Sequence, residues 1–353
     1  MEETNIYINA VAGISPQETF YEPAFFQPIA KPSGNRFICI EPDYDELIDA
    51  KLIRRMSRII KMGTAAALKC LQQAQAEMPG GIVVGTAYGC LQDTEIFLKR
   101  IIDYKEELLT PTAFIQSTHN TVGAQIALLL QCHNYNNTFV QSGHSFESAL
   151  LDGLLLLKEH EMNNVLAGAA DEITSTSHAI LERFGLYKRT EDDDFYSYKS
   201  KGAIAGEGAF FFLLSNERSE KNIAKLEGVE MFCDVLEDEV ANRIEQFLAK
   251  HNLSVNDIDL IIAGRNGDKK NDVVYDMLDA NTFSGKQALS YKHLCGEYPT
   301  STAFALWLAL ELVGGGAASP FLCNQTINSD VKKILIYNHY LNAYHSLLLV
   351  NAC

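Results

Sequence analysis

Residues 136–171 read NNTFVQSGHSFESALLDGLLLLKEHEMNNVLAGAAD, and the fold is decided there. Thr138–Gln141 predicts a short buried strand. Ser142-Gly143-His144-Ser145 predicts a tight turn. Phe146–His160 predicts a helix whose apolar stripe runs through Ala149, Leu150, Gly153, Leu154 and Leu157. Asn164–Ala170 predicts a second buried strand. A strand that passes through a tight turn into a helix lifts a nucleophile out of a sheet and aims a helix N-terminus at it. The apex of such an elbow calls for Cys or Ser. This sequence places Gly143 there. Glycine also tolerates strained backbone angles, which elbows often carry. His144 and Ser145 do not complete a G-x-S-x-G motif, because Glu147 stands at its last position. Ser145 reads instead as a helix N-cap.

Outward from this stretch, strands and helices alternate. On the N-terminal side, strands are predicted at Asn5–Val11, Phe37–Ile40 and Gly81–Gly85. An irregular covering segment spans residues 12–35. Tyr44–Glu77 is mostly helical. Further helices are expected from Leu91 to Tyr104 and within Pro111–Gln131. On the C-terminal side come a helix around His178–Phe184, an acidic loop at Glu191–Asp194 and a strand at Ala209–Leu214. The pattern then repeats more briefly. Helices are predicted at Glu237–His251, Asn271–Ala280 and Pro299–Val313, with strands at Ile258–Ala263, Lys286–Ser290, Lys332–Asn338 and Ser346–Asn351. Alternation of this kind implies an α/β fold with buried sheets. Two βαβ-rich halves, residues 1–220 and 221–353, suggest an internal pseudo-duplication.

Composition narrows the function classes. The 353 residues are 47% hydrophobic and 21% charged, which suits a globular core. No apolar run of about 18 residues is present, so no membrane span is expected. The start, MEETNIYINAV, lacks the basic-then-apolar order of a secretory leader, and a cytoplasmic location is expected. The eight cysteines form no CxxC or CxxH pattern, so neither metal nor cofactor is expected and reduced thiols are the default. His119, His293, His339 and His345 lack ligand spacing. A net charge of −16 argues against a nucleic-acid surface. The cluster Arg54, Arg55, Arg58 and Lys61 admits two readings, a docking patch for an acidic carrier protein or a solvated helix face.

Five segments, in order, resemble the β-ketoacyl synthases of the thiolase superfamily. RRMSRIIKMGTAAALKCLQQA resembles that family's first long helix, and GGIVVGTAYGCLQDTE its following strand and Gly-rich turn. The run from Asn120 to AGAADE resembles its nucleophile region. KGAIAGEGAFFFLLS resembles its Gly-Glu-Gly segment. KHLCGEYPTSTAFAL resembles the segment carrying its second active-site histidine.

The resemblance implies a thiolase-like fold of two pseudo-duplicated halves, with buried mixed sheets between helical layers. It also implies a Cys-His-His site that forms an acyl thioester and decarboxylates a malonyl thioester. Carried onto this sequence, the cysteine position is Gly143, the first histidine position Gly264 and the second Glu297. A nearby lysine is kept as Lys292. The family's Gly-Phe-Gly gate is replaced by NHYLNAYH. Glu297 is either a new general base or a salt-bridged survivor.

With no nucleophile at the elbow, the chain alone is expected neither to take an acyl group near Gly143 nor to condense one. The resemblance then points to a chain-length-factor-like subunit. Such a subunit pairs as a heterodimer with an active β-ketoacyl synthase in fatty acid, polyketide or aryl-polyene-type biosynthesis, and acyl carrier protein docks mainly on the partner. Thr138, Phe139, Val140 and Gln141 are implied to form the dimer-interface strand. Leu91, Thr94 and Leu98 are implied to face the partner's acyl tunnel, although Leu91 and Leu98 also read as core. Two alternatives stand beside this one. One is a family acyltransferase or malonyl decarboxylase with a rebuilt site. The other is a homodimeric acyl-binding protein.

Overall fold

The computed structural model describes residues 4–21, 29–107, 109–189, 200–313, 327 and 330–353. The acidic loop expected at Glu191–Asp194 lies outside the described residues. The first half contains β1 (Tyr7–Ile14), α1 (Ala50–Ile53), α2 (Arg58–Ala74), β2 (Gly81–Gly85), α3 (Leu91–Asp103), α4 (Pro111–Gln116) and α5 (Thr121–Leu130). It continues with β3 (Tyr135–Phe139), α6 (Ser145–Lys158), β4 (Asn164–Asp171), α7 (Ser175–Arg183) and β5 (Gly208–Ser215). The second half contains β6 (Ala224–Cys233), α8 (Glu237–Lys250), β7 (Leu260–Ala263), α9 (Val273–Ala280) and β8 (Ala288–Ser290). It ends with α10 (Lys292–Cys295), α11 (Thr302–Leu312), β9 (Lys333–Tyr340) and β10 (Tyr344–Ala352).

The strands form one sheet in the order β3-β2-β4-β5-β1-β6-β10-β9-β7-β8. Read inward from its two edges, that order is the same twice. In the first set β2 pairs parallel with β3 and β4, while β5 pairs antiparallel with β4 and β1. In the second, β7 pairs parallel with β8 and β9, while β10 pairs antiparallel with β9 and β6. The sets meet at a short β1–β6 contact, Tyr7 opposite Lys225 and Ile8 opposite Ala224.

Strand periodicity divides the core into layers. Phe210, Phe212 and Leu214 of β5 pack toward a central layer with α6 and α11. Their neighbours Ala209, Phe211 and Leu213 pack the other way, against α2 and α5. In the second set, Ile261, Leu335 and Leu347 pack outward against α8 and α9. The result is helices, the first strand set, two central helices, the second strand set, helices. α11, TAFALWLALEL, is apolar nearly all round, as a helix enclosed between the two strand sets must be. α6 follows β3, and α11 follows β8, the equivalent edge strand. The stripe Ala149, Leu150, Gly153, Leu154 and Leu157 is buried throughout.

Three local expectations are corrected. Phe37–Ile40 is extended but forms no ladder: Phe37 N–H donates to the Ala205 carbonyl, Cys39 N–H to the Glu207 carboxylate and Ile40 N–H to the Ser15 carbonyl. The strand expected at Thr138–Gln141 is Tyr135–Phe139. It is an edge strand, half-buried rather than buried, with Val140 and Gln141 beyond it. Ser145 is not an N-cap. Its hydroxyl accepts from Gln141 N–H at 2.9 Å and donates to the Ser142 carbonyl at 2.8 Å, closing the elbow from within the helix.

Candidate functional site

The elbow is a 3-10 turn, Ser142–His144, between β3 and α6. β2 lets the helix start close by. A Cβ on Gly85 would lie 2.4 Å from the Ser145 carbonyl oxygen, so only glycine permits this approach. The strained angle belongs to Ser142, at φ +52°, and Gly143 has no positive φ. Glycine at the apex is therefore not explained by backbone freedom. A Cβ on Gly143 would lie 2.5 Å from Tyr340 Cβ and 3.0 Å from Tyr344 Cβ. Those atoms sit next to the backbone of the β9–β10 hairpin and cannot swing aside. The hairpin turns through Leu341 and Asn342, both with positive φ. This turn, NHYLNAYH in sequence, covers the apex, and the Tyr340 hydroxyl is hydrogen-bonded to the Tyr88 hydroxyl at 2.8 Å.

Gly264, just beyond β7, is filled in the same way. A Cβ there would meet Asn338 Oδ1 at 2.0 Å and the Tyr275 hydroxyl at 2.8 Å. Asn338 comes from the same hairpin and donates through Nδ2 to the Thr302 hydroxyl at 2.8 Å.

Glu297 is buried, and Lys292 beside it is fully buried. Lys292 Nζ contacts both carboxylate oxygens, at 2.9 and 2.8 Å, and donates to the His339 carbonyl at 3.3 Å. Asn266 Nδ2 donates to the same carboxylate. The backbone of Glu297 is tied to Ile204 and Gly206. Burial pushes the Glu297 carboxyl up and the adjacent ammonium opposes it. Every short contact on this carboxylate comes from a fixed protein donor, so the geometry is that of a structural ion pair rather than a free base.

Burial disfavours the charged form of two histidines at the site, His339 and His345. Burial and the Lys292 charge push His339 well below the ordinary range. Its Nε2 donates to the Asn271 carbonyl at 3.0 Å, and its Nδ1 accepts from Asn342 N–H at 3.1 Å. Burial lowers His345 to about 4. Its ring stacks on Phe232 at 5.1 Å. Asp171, the end of AGAAD, ties the two halves together. Its Oδ1 accepts from the Thr86 hydroxyl and from Ala87 and Tyr88 N–H, and its Oδ2 accepts from Thr300. Sequence reasoning passed over Tyr340, Tyr344 and Asn338, since nothing local marks them as occupants of Gly143 and Gly264.

On α3, Leu91 and Thr94 are half-buried and Leu98 is 54% exposed, so Leu98 is not a core residue. The Thr94 hydroxyl donates to the Cys90 carbonyl at 2.9 Å. Ile102, one turn further, is 77% exposed. Phe114 and Ile115 on α4, Leu128 on α5 and Val140 just beyond β3 are exposed as well. The basic cluster divides. Arg58 is committed to Glu207 and Glu41, and Lys61 lies over the Tyr44 ring. Arg54 and Arg55 are exposed beside a groove between α1 and α4–α5. Among the described residues, no cluster of His, Cys, Asp or Glu could hold a metal and no helix is long and apolar enough to cross a membrane.

The packing makes a prediction. Gly143→Cys should destabilise the fold by about 1–3 kcal/mol, the usual cost of overpacking, and should not create a reactive thiol at the elbow. Denaturant melts and thiol labelling check this. A variant as stable as the parent, with a readily labelled Cys at 143, would contradict it.

Comparison with known proteins agrees with this architecture. Residues 41–183 match the family model of the β-ketoacyl synthase N-terminal domain. A search of curated protein sequences finds no match. Among solved structures, the chain is similar to the ishigamide ketosynthase/chain length factor, with a TM-score of 0.82 and 18% identity over 100% of both chains. It is similar to a β-ketoacyl synthase from Burkholderia phymatum, with a TM-score of 0.81 and 15% identity over 99% of this chain and 100% of that one. It is also similar to the complex of the ketosynthase ApeO with its chain length factor ApeC from Xenorhabdus doucetiae, with a TM-score of 0.76 and 16% identity over 99% and 98%.

Proposed function

We propose that this chain, a ketosynthase-like protein with a thiolase-like α/β fold, is a non-catalytic subunit of the chain-length-factor type. In this reading it pairs with an active β-ketoacyl synthase in polyketide, fatty acid or aryl-polyene-type synthesis in the cytoplasm. One observation carries the reading: the β9–β10 hairpin fills the elbow. Tyr340 and Tyr344 occupy the space of a side chain at Gly143, and Asn338 occupies that of one at Gly264. The scaffold is kept while the space for an acyl-enzyme is closed. This speaks against the rebuilt acyltransferase or decarboxylase, and equally against an acyl-binding homodimer with a pocket of its own.

The halves 1–220 and 221–353 would then be the two arms of one scaffold, joined at β1–β6. The partner would dock on the free edge of β3. Phe139 directs its carbonyl to Thr86 N–H of the β2 side, so by alternation Thr138 and Val140 direct theirs to the open edge. The Thr138 N–H is closed by the side chain of Asn137, and an unpaired edge beside exposed apolar helices needs cover. Leu91, Thr94 and Leu98 would line the partner's tunnel, since Leu98 and its neighbours are left uncovered in the lone chain. Carrier protein would dock mainly on the partner because this chain carries a net charge of −16, with Arg54 and Arg55 contributing to that surface.

Co-expression with a cognate ketosynthase tests the reading. A stable heterodimer is expected by sedimentation. In that heterodimer Thr94→Phe should shorten the acyl products while assembly and initial rate stay largely intact. A soluble monomer with no gain on co-expression would sink the pairing, and unchanged product length from a well-assembled variant would sink the tunnel assignment.

A further inference from the structure

A thiol and an imidazole meet beside the closed elbow. Cys233 is the last residue of β6, opposite Tyr344 in register, and is exposed. His144 is the residue after Gly143 and is buried. Cys233 Sγ lies 3.7 Å from His144 Nδ1. The other ring nitrogen, Nε2, lies 2.9 Å from the His345 carbonyl oxygen. A carbonyl can only accept, so Nε2 carries the proton and Nδ1 presents its lone pair to the thiol. The Tyr344 ring meets the imidazole edge-on, with centroids 5.3 Å apart at 90°, and holds its plane. A nucleophile, a base within reach and a third group orienting the base together make the general signature of an activated thiol. Among the described residues the other exposed cysteine is Cys353, near Arg218 and Lys225, while Cys39, Cys70, Cys90, Cys132 and Cys295 are buried.

We propose that Cys233 and His144 form a second, displaced dyad that accepts an acyl group from an acyl thioester. Sγ attacks the thioester carbonyl carbon while its proton passes to His144 Nδ1. The tetrahedral intermediate collapses by breaking the donor's C–S bond, and the departing thiolate takes the proton back from Nδ1. One thioester forms as one breaks, with no change of oxidation state and no cofactor. Partial burial and the nearby Asp234 raise the Cys233 thiol, and burial lowers His144. The resting pair is therefore neutral, and the imidazole acts as the proton is transferred. An acyl group on Cys233 would overturn the expectation from the sequence that none is taken near Gly143. The dyad stands on geometry alone, and only the choice of an acyl thioester rests on the ketosynthase-like reading.

Separate samples of the full chain are treated with iodoacetamide and with an acyl-N-acetylcysteamine thioester, and the adducts are mapped by mass spectrometry. Cys233 should alkylate at least about 10-fold faster than Cys353, a gain that His144→Gln abolishes. In the parent its rate should hold up below pH 7, where that of a simple thiol falls about tenfold per pH unit; this arm decides the matter if the variant does not fold. The acyl adduct should appear at Cys233 and vanish in Cys233→Ser. Equal alkylation of the two cysteines with no effect of His144→Gln would overturn the dyad. Fast alkylation without acylation would overturn the assigned substrate class while leaving the scaffold reading untouched.

Discussion

Lys292→Met should cost about 3–5 kcal/mol of stability, because it leaves the Glu297 carboxylate buried without its cation. The pair lies between α10 and the segment at Ile204–Gly206, with Lys292 fully enclosed. Both carboxylate oxygens contact Nζ, at 2.9 and 2.8 Å, and one also receives Asn266 Nδ2. After the substitution Asn266 remains as a donor, but one neutral hydrogen bond does not offset a buried charge, and the carboxyl must take a proton to stay inside. The double variant Lys292→Met/Glu297→Leu should recover most of the loss, since an apolar pair of similar volume removes both desolvation penalties. Denaturant unfolding of the two variants measures this. A single variant within about 1 kcal/mol of the parent would mean that Glu297 is already neutral or free, which reopens its reading as a general base.

The second large effect concerns Glu147, in the first turn of α6. Its carboxyl is fully buried, and neither oxygen has a well-formed hydrogen bond. Burial raises it from 4.5 to about 7, while the facing hydroxyls of Thr302 and Ser346, and the Lys292 charge, oppose the rise. The folded protein thus holds this proton more tightly than the unfolded chain does. Its contribution to stability is complete below about pH 4.5 and is lost as pH rises through about 7, and at about 1.4 kcal/mol per tenfold change in affinity the loss approaches about 3 kcal/mol. Glu147→Gln cannot ionise. It should match the parent near pH 4.5 and exceed it by about 3 kcal/mol at pH 8.5. Glu172, pushed by burial to about 7, and Asp272, pushed to about 6, remain in the variant, so some alkaline decline persists. Equal stability of parent and variant across this range would show that Glu147 is charged and partnered in the native state.

Much of the fold was legible because local signals and tertiary packing agreed. GIVVG formed the strand Gly81–Gly85 as read, and the α6 stripe is buried residue by residue. β6 was missed. Lys225, Glu227 and Glu230 interrupt AKLEGVEMFC, and a register shift between Leu226 and Gly228 breaks its alternation: Ala224 and Leu226 pack into the central layer, whereas Gly228 faces Phe247 and His251. Those charges are accommodated because they sit on the partly exposed face of a strand that is otherwise central. Pro111–Gln131 was read as containing one helix, and two form, divided at residues 117–120. At the candidate site the sequence could mark Gly143 as lacking a nucleophile but could not say what takes its place. The occupants, Tyr340 and Tyr344, lie far along the chain on a hairpin whose turn carries no Gly or Pro. Their position depends on β9 and β10 pairing within the second strand set, a contact that no local window contains. Cys233 and His144 likewise meet only because β10 lies beside β6.

The most direct test of the central claim, that the fold is kept while the chemistry of the elbow is closed, is malonyl-thioester decarboxylation by the purified chain alone, scored as carbon dioxide release. The filled positions at Gly143 and Gly264 and the ion-paired Glu297 predict no release above the protein-free blank. Release that persists in the parent and disappears in Glu297→Gln would contradict the account and identify the chain as an enzyme with a rebuilt site.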